Sequence, residues 1–263
     1  MSGSARSLVA FLGIAILVGV AVQGLTDLGA VRTLIPDELA RWMVKTVATC
    51  LAAVPALFSF RAAEKREIRA ERRQRFRDAI AKIERTLHAA IRTHFQGEDP
   101  STIRANVMIV SGGLLRMLAS ANMDYYDDAG VQLERNQGCA GIAWALAEER
   151  PLAECWVPVI APHAKLRGRK PQKLWNLTEE QARVTSHILW IMSVPLFYRN
   201  GPVHRLLGIL NFDVVGHLLR NPERLESPQA LQDVAGLADR IAKAIVEEVP
   251  RELVNLDNIS RTE

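Results

Sequence analysis

A long, uncharged apolar run near the N-terminus constrains this chain more than any other feature. It covers Ser7 to Leu25 and reads SLVAFLGIAILVGVAVQGL, with one polar amide and no charged residue. A helix of about 20 apolar residues is what the ~30 Å hydrocarbon core of a bilayer requires. The run therefore predicts a membrane-spanning helix. A cleaved signal peptide is the alternative interpretation, but no small-residue cleavage site follows the run cleanly.

A second apolar run, from Trp42 to Phe60, has similar length but two defects. Lys45 must extend its ammonium group toward an interface, and Pro55 removes a backbone hydrogen-bond donor. Its length still favours a span. We therefore expect residues 1–61 to form a transmembrane hairpin, with spans at about 7–25 and 42–60.

The charges after the second run predict the orientation of the hairpin. Phe60 is followed by RAAEKREIRAERRQRFR, in which cationic residues outnumber glutamates. Lys and Arg next to a span favour the cytoplasmic side, so both termini are expected in the cytoplasm and the protein in the inner (plasma) membrane. The cysteines Cys50, Cys139 and Cys155 lack paired spacing, which fits a reducing compartment without disulfides.

The basic charge of the chain is local. The net charge is +4 and the pI near 9.1, but residues 61–96 hold 11 Lys and Arg against 5 Asp and Glu. Residues 97–263 hold 18 against 21. A cationic helix beside the membrane, facing anionic lipid, accounts for this distribution. We expect membrane lipid as a partner and no nucleic acid.

Residues 62–96 predict a basic helical linker. No Pro or Gly interrupts residues 62–95, and apolar residues recur there at helical spacing, at Phe76, Ile80, Ile83, Leu87 and Ile91. Steps of three and four also describe a coiled-coil seam, which predicts a parallel homodimer. Packing of the same stripe against the chain's own domain is an equal alternative.

From Gly97 to Val249 the pattern becomes that of a mixed domain. Arg104–Val110 and Leu114–Ala119 flank Ser-Gly-Gly, and Leu189–Tyr198 and Arg205–Val214 flank Asn-Gly, so each pair predicts a hairpin. The other predicted elements are a weak strand at Val131–Glu134, an extended stretch at Pro151–Val159 and helices at Asn136–Glu149, Thr178–His187 and Ser227–Val249. The fold class is α+β, an antiparallel sheet flanked by helices. A polar tail, residues 250–263, follows.

Four segments of this domain resemble the GAF domain, a widespread sensory fold of signalling proteins. They are Leu114–Ser120 (LLRMLAS), Asn136–Trp144 (NQGCAGIAW), Ser193–Leu196 (SVPL) and Leu207–Asp213 (LGILNFD). The family commonly has glycine where Asn136 stands, which would make the turn here less tight. The resemblance implies a six-stranded antiparallel sheet with a ligand pocket between the sheet and the inserted loops and helices.

The resemblance does not imply one particular ligand. GAF domains bind cyclic nucleotides, tetrapyrroles, amino acids or metals, and some bind nothing, so the cofactor is unknown and the site must be argued from its residues. The cationic loop Pro162–Trp175 is the most suggestive segment. His163, Arg167 and Arg169 are its candidate ligand-binding residues, since a guanidinium can hold a phosphate or carboxylate by two hydrogen bonds. A solvated loop, or one lying on lipid, is the alternative.

Aromatic and polar residues complete the predicted ligand site. The candidate pocket walls are Tyr125, Tyr126, Trp144 and Trp175, although core packing is the commoner fate of an aromatic side chain. Asn211 and Asp213 lie two apart on a predicted strand and share a face, and Ser193 lies on the neighbouring strand. These three are candidate polar contacts if that face lines the pocket.

No catalytic or metal site is expected. Gly138 and Gly141 lack the βαβ setting of a dinucleotide-binding turn. Cys139 lies near the position of a catalytic cysteine in GAF proteins that reduce free methionine sulfoxide, but no resolving cysteine flanks it, and we interpret it as a small buried residue. The six histidines show no short metal-ligand spacing.

The sequence therefore predicts a membrane-tethered cytoplasmic sensor that binds a small, anionic molecule and is not an enzyme. Its signal would pass to the membrane helices or to a partner, because the polar tail is too short for an output domain. Three alternatives remain. They are a second-messenger-activated effector whose spans perturb the bilayer, a ligand-free scaffold for protein interaction, and, more weakly, a redox enzyme using Cys139.

Overall fold

The structure, a computed structural model, describes residues 38–123, 127–150, 154–162, 175–200 and 203–249. The chain divides into two compact units, Met1–Gln74 and Arg75–Glu263. Helix α1 (Glu38–His94) begins in the first unit and ends in the second, which also contains the sheet. Gly97 follows α1 with φ +90°, a left-handed conformation that glycine adopts without a steric penalty and that ends helices.

The described part of the first unit contains the second predicted span of the membrane hairpin. Of the second apolar run, α1 carries Trp42, Met43, Val47 and Phe58 with exposed side chains. Within the ranges that are described, no helix is both long and apolar enough to cross a bilayer. The first predicted span, residues 7–25, lies outside the described residues. The transmembrane hairpin is thus not shown and stays a prediction.

Five antiparallel strands form one sheet in the described part of the second unit. They are β1 (Ile103–Ser111), β2 (Leu114–Ala121), β3 (Val159–Ala161), β4 (Ile188–Asn200) and β5 (Val203–Val215), in the spatial order β2-β1-β5-β4-β3. Both predicted hairpins are confirmed. Gly112 and Gly113, with φ +61° and +79°, form the first turn, and Asn200 pairs with Val203 across the second. The α+β fold class is confirmed as well.

Where the resemblance implies a sixth strand, the described residues form a single bridge. Leu133 pairs with Leu115, and their backbone N–H groups donate to each other's carbonyl oxygens at 2.8 and 3.2 Å. Turns closed by Val131 N to Asp128 O and by Gln137 N to Glu134 O stand on either side, so the chain cannot extend the pairing. The predicted strand Val131–Glu134 is therefore wrong in length. The extended stretch Pro151–Val159 likewise yields a strand only from Val159.

One face of the sheet packs against α1 and the terminal helix α5 (Pro228–Glu248). Strand residues Val107, Leu210 and Phe212 meet the helices in one buried core. The Phe95 ring lies 5.5 Å from that of Phe212. Ser227 caps α5 by accepting a hydrogen bond from Ala230 N.

The apolar stripe of α1 belongs to this core. Ile83, Leu87 and Ile91 are 1%, 0% and 2% exposed, and Phe76 and Ile80 pack at its edge. Because the chain's own sheet and α5 already cover these side chains, the stripe is not a free coiled-coil seam. The predicted seam is therefore wrong and the alternative, packing on the chain's own domain, is observed. The homodimer itself stays a prediction.

The other face of the sheet is covered by helices α2 (Gly138–Glu149) and α3 (Glu179–Val184) and by a 3₁₀ turn, Asp127–Gly130. Thr178 caps α3 and forms a capping box with Gln181. The helix ends at Val184, earlier than the predicted His187, since Thr185 leaves the helical conformation. A second 3₁₀ turn, Pro100–Thr102, precedes β1, and the short helix α4 (Pro222–Leu225) precedes α5.

The turn before α2 remains tight despite the departure from glycine at Asn136. Asn136 itself adopts φ +67°, which asparagine tolerates better than most residues, and its N–H donates to Gly141 O at 2.9 Å. A Cβ at Gly141 would lie 2.3 Å from the carbonyl oxygen of Glu134. The expectation of a looser turn is therefore wrong, because Asn136 supplies the left-handed backbone that glycine would.

Candidate functional site

A cavity of about 620 Å³ lies between the sheet and its α2–α3 cover. Apolar side chains form most of its wall, including Met108, Met117, Met123, Leu133, Trp175, Leu177, Ile188 and Ile191. Polar side chains reach it from β1, β5 and the 3₁₀ turn, at Asn106, Asn211, Asp213 and Asp128. An apolar cavity of this size with a few convergent polar groups is typical of a small-molecule site.

A row of polar side chains crosses three strands at the floor of the cavity. Strand register places Ser193 of β4 opposite Asn211 of β5, and Asn211 opposite Asn106 of β1. Ser193 Oγ donates to Asn211 Oδ1 at 2.7 Å, and Asn211 Nδ2 donates to Asn106 Oδ1 at 2.8 Å. All three are buried. Two hydrogen bonds thus link the three side chains. The row ends at the amide nitrogen of Asn106, a donor beside the cavity.

A buried ion-pair cluster lies beside this polar row, two residues further along β1 and β5 on the same face of the sheet. Arg104, paired with Asp213 across β1 and β5, is 0% exposed. Its Nε donates to Asp213 Oδ1 at 2.5 Å, and its Nη1 and Nη2 donate to Oδ1 and Oδ2 of Asp128 at 3.1 and 2.8 Å. His187 Nε2 lies 3.4 Å from Asp128 Oδ2. The cluster ties the 3₁₀ turn to the sheet.

The two carboxyl groups of this cluster differ in their proton affinity. Burial raises the pKa of Asp213, and the charge and hydrogen bond of Arg104 only partly oppose this. Burial acts the same way on Asp128, but hydrogen bonds from His187 and Arg104 outweigh it and lower the pKa of Asp128 overall. The fold therefore favours the Asp128 carboxylate over that of Asp213.

Cys139 lies at the cavity wall beside Ser193, and its Sγ donates to the carbonyl oxygen of Val159 at 3.4 Å. Burial raises the pKa of this thiol to about 12. A thiol that keeps its proton is a poor nucleophile, which fits the interpretation of a small buried residue. Within the described ranges, no group of three or more His, Cys, Asp or Glu side chains is arranged to hold a metal ion.

The structure brings together some of the predicted site residues. Trp175, Asn211 and Asp213 line the cavity, and Ser193 supports it through Asn211. Trp144 instead packs in the core under α2, where its Nε1 donates to Glu148 at 2.7 Å. The remaining candidates, Tyr125, Tyr126, His163, Arg167 and Arg169, lie outside the described residues.

Four polar residues of the site were not predicted, namely Arg104, Asn106, Asp128 and His187. Arg104 and Asn106 carried a detectable signal, because they stand two apart within a predicted strand and so share a face with each other. A charged residue inside an otherwise apolar strand run calls for a buried partner. Asp128 and His187 carried no such signal, since Asp128 lies in a 3₁₀ turn and His187 in the turn before β4, both outside the strands.

The chain matches no established protein-family profile, and no curated protein matches it. Among solved structures it is similar to a far-red cyanobacteriochrome photoreceptor, at 13% identity over 72% of this chain and 99% of the other, with a TM-score of 0.43. It is also similar to a GAF domain of A. aeolicus in an inactive state, at 13% identity over 65% and 98%, TM-score 0.37. The GAF domain of an Acinetobacter phosphoenolpyruvate-protein phosphotransferase gives 14% over 66% and 92%, TM-score 0.37.

These TM-scores lie below 0.5, so the likenesses assign neither a family nor a ligand. The antiparallel α+β architecture rests on the strand pairing of this chain itself. Its layout places helices on both faces of one antiparallel sheet and a cavity under one helical cover. What binds in the cavity must be argued from the lining residues.

Proposed function

We propose that this protein is a non-catalytic sensor that binds a small molecule in the cavity between the sheet and helices α2 and α3. The observation that carries this proposal is the cavity of about 620 Å³, whose apolar wall meets a buried polar floor of Asn106, Asn211 and Asp213. Burying a polar group without a hydrogen-bond partner costs free energy. Polar side chains beside an apolar cavity therefore favour a ligand that makes specific hydrogen bonds with them.

Helix α1 is the element best placed to report the state of the cavity. Strands β1 and β5 carry cavity residues on one face and contact α1 and α5 with the other, so Asn211 and Asp213 alternate with Leu210 and Phe212. A ligand that shifts these strands would alter the packing of Phe95 and Ile91 on the opposite face. We propose α1 as the route of the signal.

We also propose that the first unit tethers the protein to the cytoplasmic face of the inner membrane. Support comes from the uncharged run Ser7–Leu25 and from the exposed Trp42, Met43, Val47 and Phe58 of α1. The arginine-rich segment after Phe60 favours a cytoplasmic position for the sensor domain.

Thermal unfolding of the full chain in a small-molecule library tests the sensor proposal. A compound that binds only the folded state raises the Tm by mass action. Ala182 lines the cavity from α3, so Ala182→Trp should place an indole ring in it, obstruct binding and abolish these shifts. Ala89→Trp, on the exposed side of α1, is the matched control and should keep the shifts. Shifts that persist in Ala182→Trp would place binding elsewhere.

A further inference from the structure

The charged side chains among the described lining residues of the cavity are both acidic. Asp128 and Asp213 both line it, and among the described lining residues there is no Lys, Arg or His. The guanidinium of Arg104 lies behind the two carboxylates with 0% exposure, and His187 contacts Asp128 from the turn before β4. The charge of the described lining therefore disfavours an anionic ligand.

One of these oxygen atoms has accepting capacity left. Both oxygens of Asp128 accept hydrogen bonds from Arg104, and Oδ1 of Asp213 accepts one as well. Oδ2 of Asp213 accepts none from any residue in the described ranges, although Asp213 is only 2% exposed and lines the cavity. A carboxylate oxygen without a donor at the wall of a cavity favours a ligand that brings one, most strongly a charged one.

The side chains of the cavity wall favour an organic cation over an inorganic one. Met108, Met117 and Met123 offer polarizable thioethers, and Trp175 offers an aromatic ring. Soft and aromatic groups suit an organic ammonium ion, whereas a hydrated inorganic cation would lose its water shell against them. A cavity of about 620 Å³ also leaves room for an apolar body.

The titratable groups around Asp213 agree with this choice. Arg104 faces it from β1, Asp128 from the 3₁₀ turn and His187 from the turn before β4, and Cys139 lines the same cavity from α2. Burial and the nearby charge of Asp128 raise the pKa of Asp213. A bound cation would offset both effects and favour the carboxylate.

We propose that the ligand of this cavity is an organic cation, with a compact apolar body and a protonated amine that docks on Asp213. This inference rests on the proposed sensor function and adds the ligand class to it. It replaces the anionic ligand expected from the loop Pro162–Trp175.

Three probes with the same adamantane body and different charge test the ligand class. They are 1-adamantylmethylamine, 1-adamantylmethanol and 1-adamantanecarboxylate, titrated calorimetrically into the purified full chain. We expect the amine to bind at least about tenfold more tightly than the alcohol, and the carboxylate to bind most weakly, because only the amine brings a charged donor to a buried carboxylate. The Ala182→Trp variant should bind none of the three.

A charge placed at the cavity mouth provides a test that leaves the buried cluster intact. Ser186 lines the mouth and is exposed. Ser186→Lys adds a cation there, and Ser186→Met adds a chain of comparable bulk without charge. We expect Ser186→Lys to bind the amine about tenfold more weakly than Ser186→Met does, with the order reversed for the carboxylate. Asp213→Asn should bring the affinity of the amine down to that of the alcohol.

The outcomes separate this inference from the proposed function. Tightest binding by the carboxylate, lost in Ala182→Trp, overturns the cationic ligand and leaves the sensor cavity standing. Equal affinity of amine and alcohol in wild type also overturns the cationic ligand. Failure of all three probes at millimolar concentration, together with library hits that persist in Ala182→Trp, would overturn both proposals.

Discussion

Arg104 donates hydrogen bonds to two carboxyl groups whose pKa values are shifted in opposite directions. The pKa of Asp128 is lowered, since hydrogen bonds from His187 and Arg104 outweigh burial. The pKa of Asp213 is raised by burial. Folding thus favours the charged form of Asp128 and disfavours that of Asp213. The Arg104–Asp128 ion pair joins the 3₁₀ turn to the sheet. An additional positive charge beside Asp213 would lower the raised pKa of that carboxyl group.

Asp128→Asn and Asp213→Asn should therefore differ in stability. At neutral pH we expect Asp128→Asn to lower the free energy of unfolding by about 1.5–3 kcal/mol, the usual worth of charged hydrogen bonds, and Asp213→Asn to lower it by less. The contribution of Asp128 is present above its unfolded pKa and is lost as the pH falls through the lower pKa of the folded state. Urea unfolding should show the Asp128→Asn deficit shrinking in acid. Equal losses at neutral pH would contradict this account.

At the scale of elements, close backbone approach decides where α2 sits. A Cβ on Gly141 would lie 2.3 Å from Glu134 O, whereas a Cβ on Gly236 in α5 would meet nothing nearer than 3.8 Å. Both glycines lie inside helices. Glycine is therefore required for packing at Gly141 and only lowers helix propensity at Gly236.

We expect Gly236→Ala to stabilise the protein by about 0.5–1 kcal/mol, because alanine restricts the unfolded chain and favours helix. Gly141→Ala should destabilise it, since α2 or the turn before it must move. Thermal and urea unfolding of the two variants provides the comparison. A neutral or stabilising Gly141→Ala would show that α2 does not pack as described.

Local patterns predicted most of these elements, and non-local contacts explain what they missed. Asn-Gly between two apolar runs located the β4–β5 hairpin, and the helical pattern of Ser227–Val249 located α5. The ion-pair cluster joins residues 24 and 109 positions apart, and no sequence spacing could have brought them together. The stripe on α1 was ambiguous for a different reason, since spacing does not reveal which surface covers a helix.

Leu87→Ala tests which surface covers α1. Since Leu87 is 0% exposed within its own chain, we expect a loss of about 2–5 kcal/mol in the free energy of unfolding and no change in the sedimentation coefficient of the folded protein. Leu218→Ala is the matched control, because Leu218 is 54% exposed and should lose little. Conversion of a wild-type dimer into a stable monomer by Leu87→Ala would restore the coiled-coil interpretation.

At the scale of the whole molecule, one sheet serves two purposes. Its first face is filled by α1 and α5 in a continuous apolar core, and its second face is left partly open as a cavity with a polar floor. Strands β1 and β5 contribute to both faces, so a change on one side must be accommodated on the other. This arrangement is what a sensor that reports through α1 requires.

The proposed tether makes a prediction about topology. If the chain crosses the inner membrane twice, reporter fusions at Arg61 and at Glu263 should both read as cytoplasmic, because the arginine-rich segment follows the second run. Deletion of residues 1–61 should move the protein from the membrane to the soluble fraction. A periplasmic signal at Glu263 would contradict the predicted orientation.

Native mass spectrometry of the gently purified full chain tests the central claim, that the cavity is a ligand site, most directly. We predict that wild type and Ala89→Trp carry the same non-covalent small molecule, and that Ala182→Trp, with an indole ring obstructing the cavity from α3, carries none. Fragmentation of the released molecule by tandem mass spectrometry would also report whether it contains an amine. The same adduct on Ala182→Trp, or a wild type that never carries one, would contradict the claim.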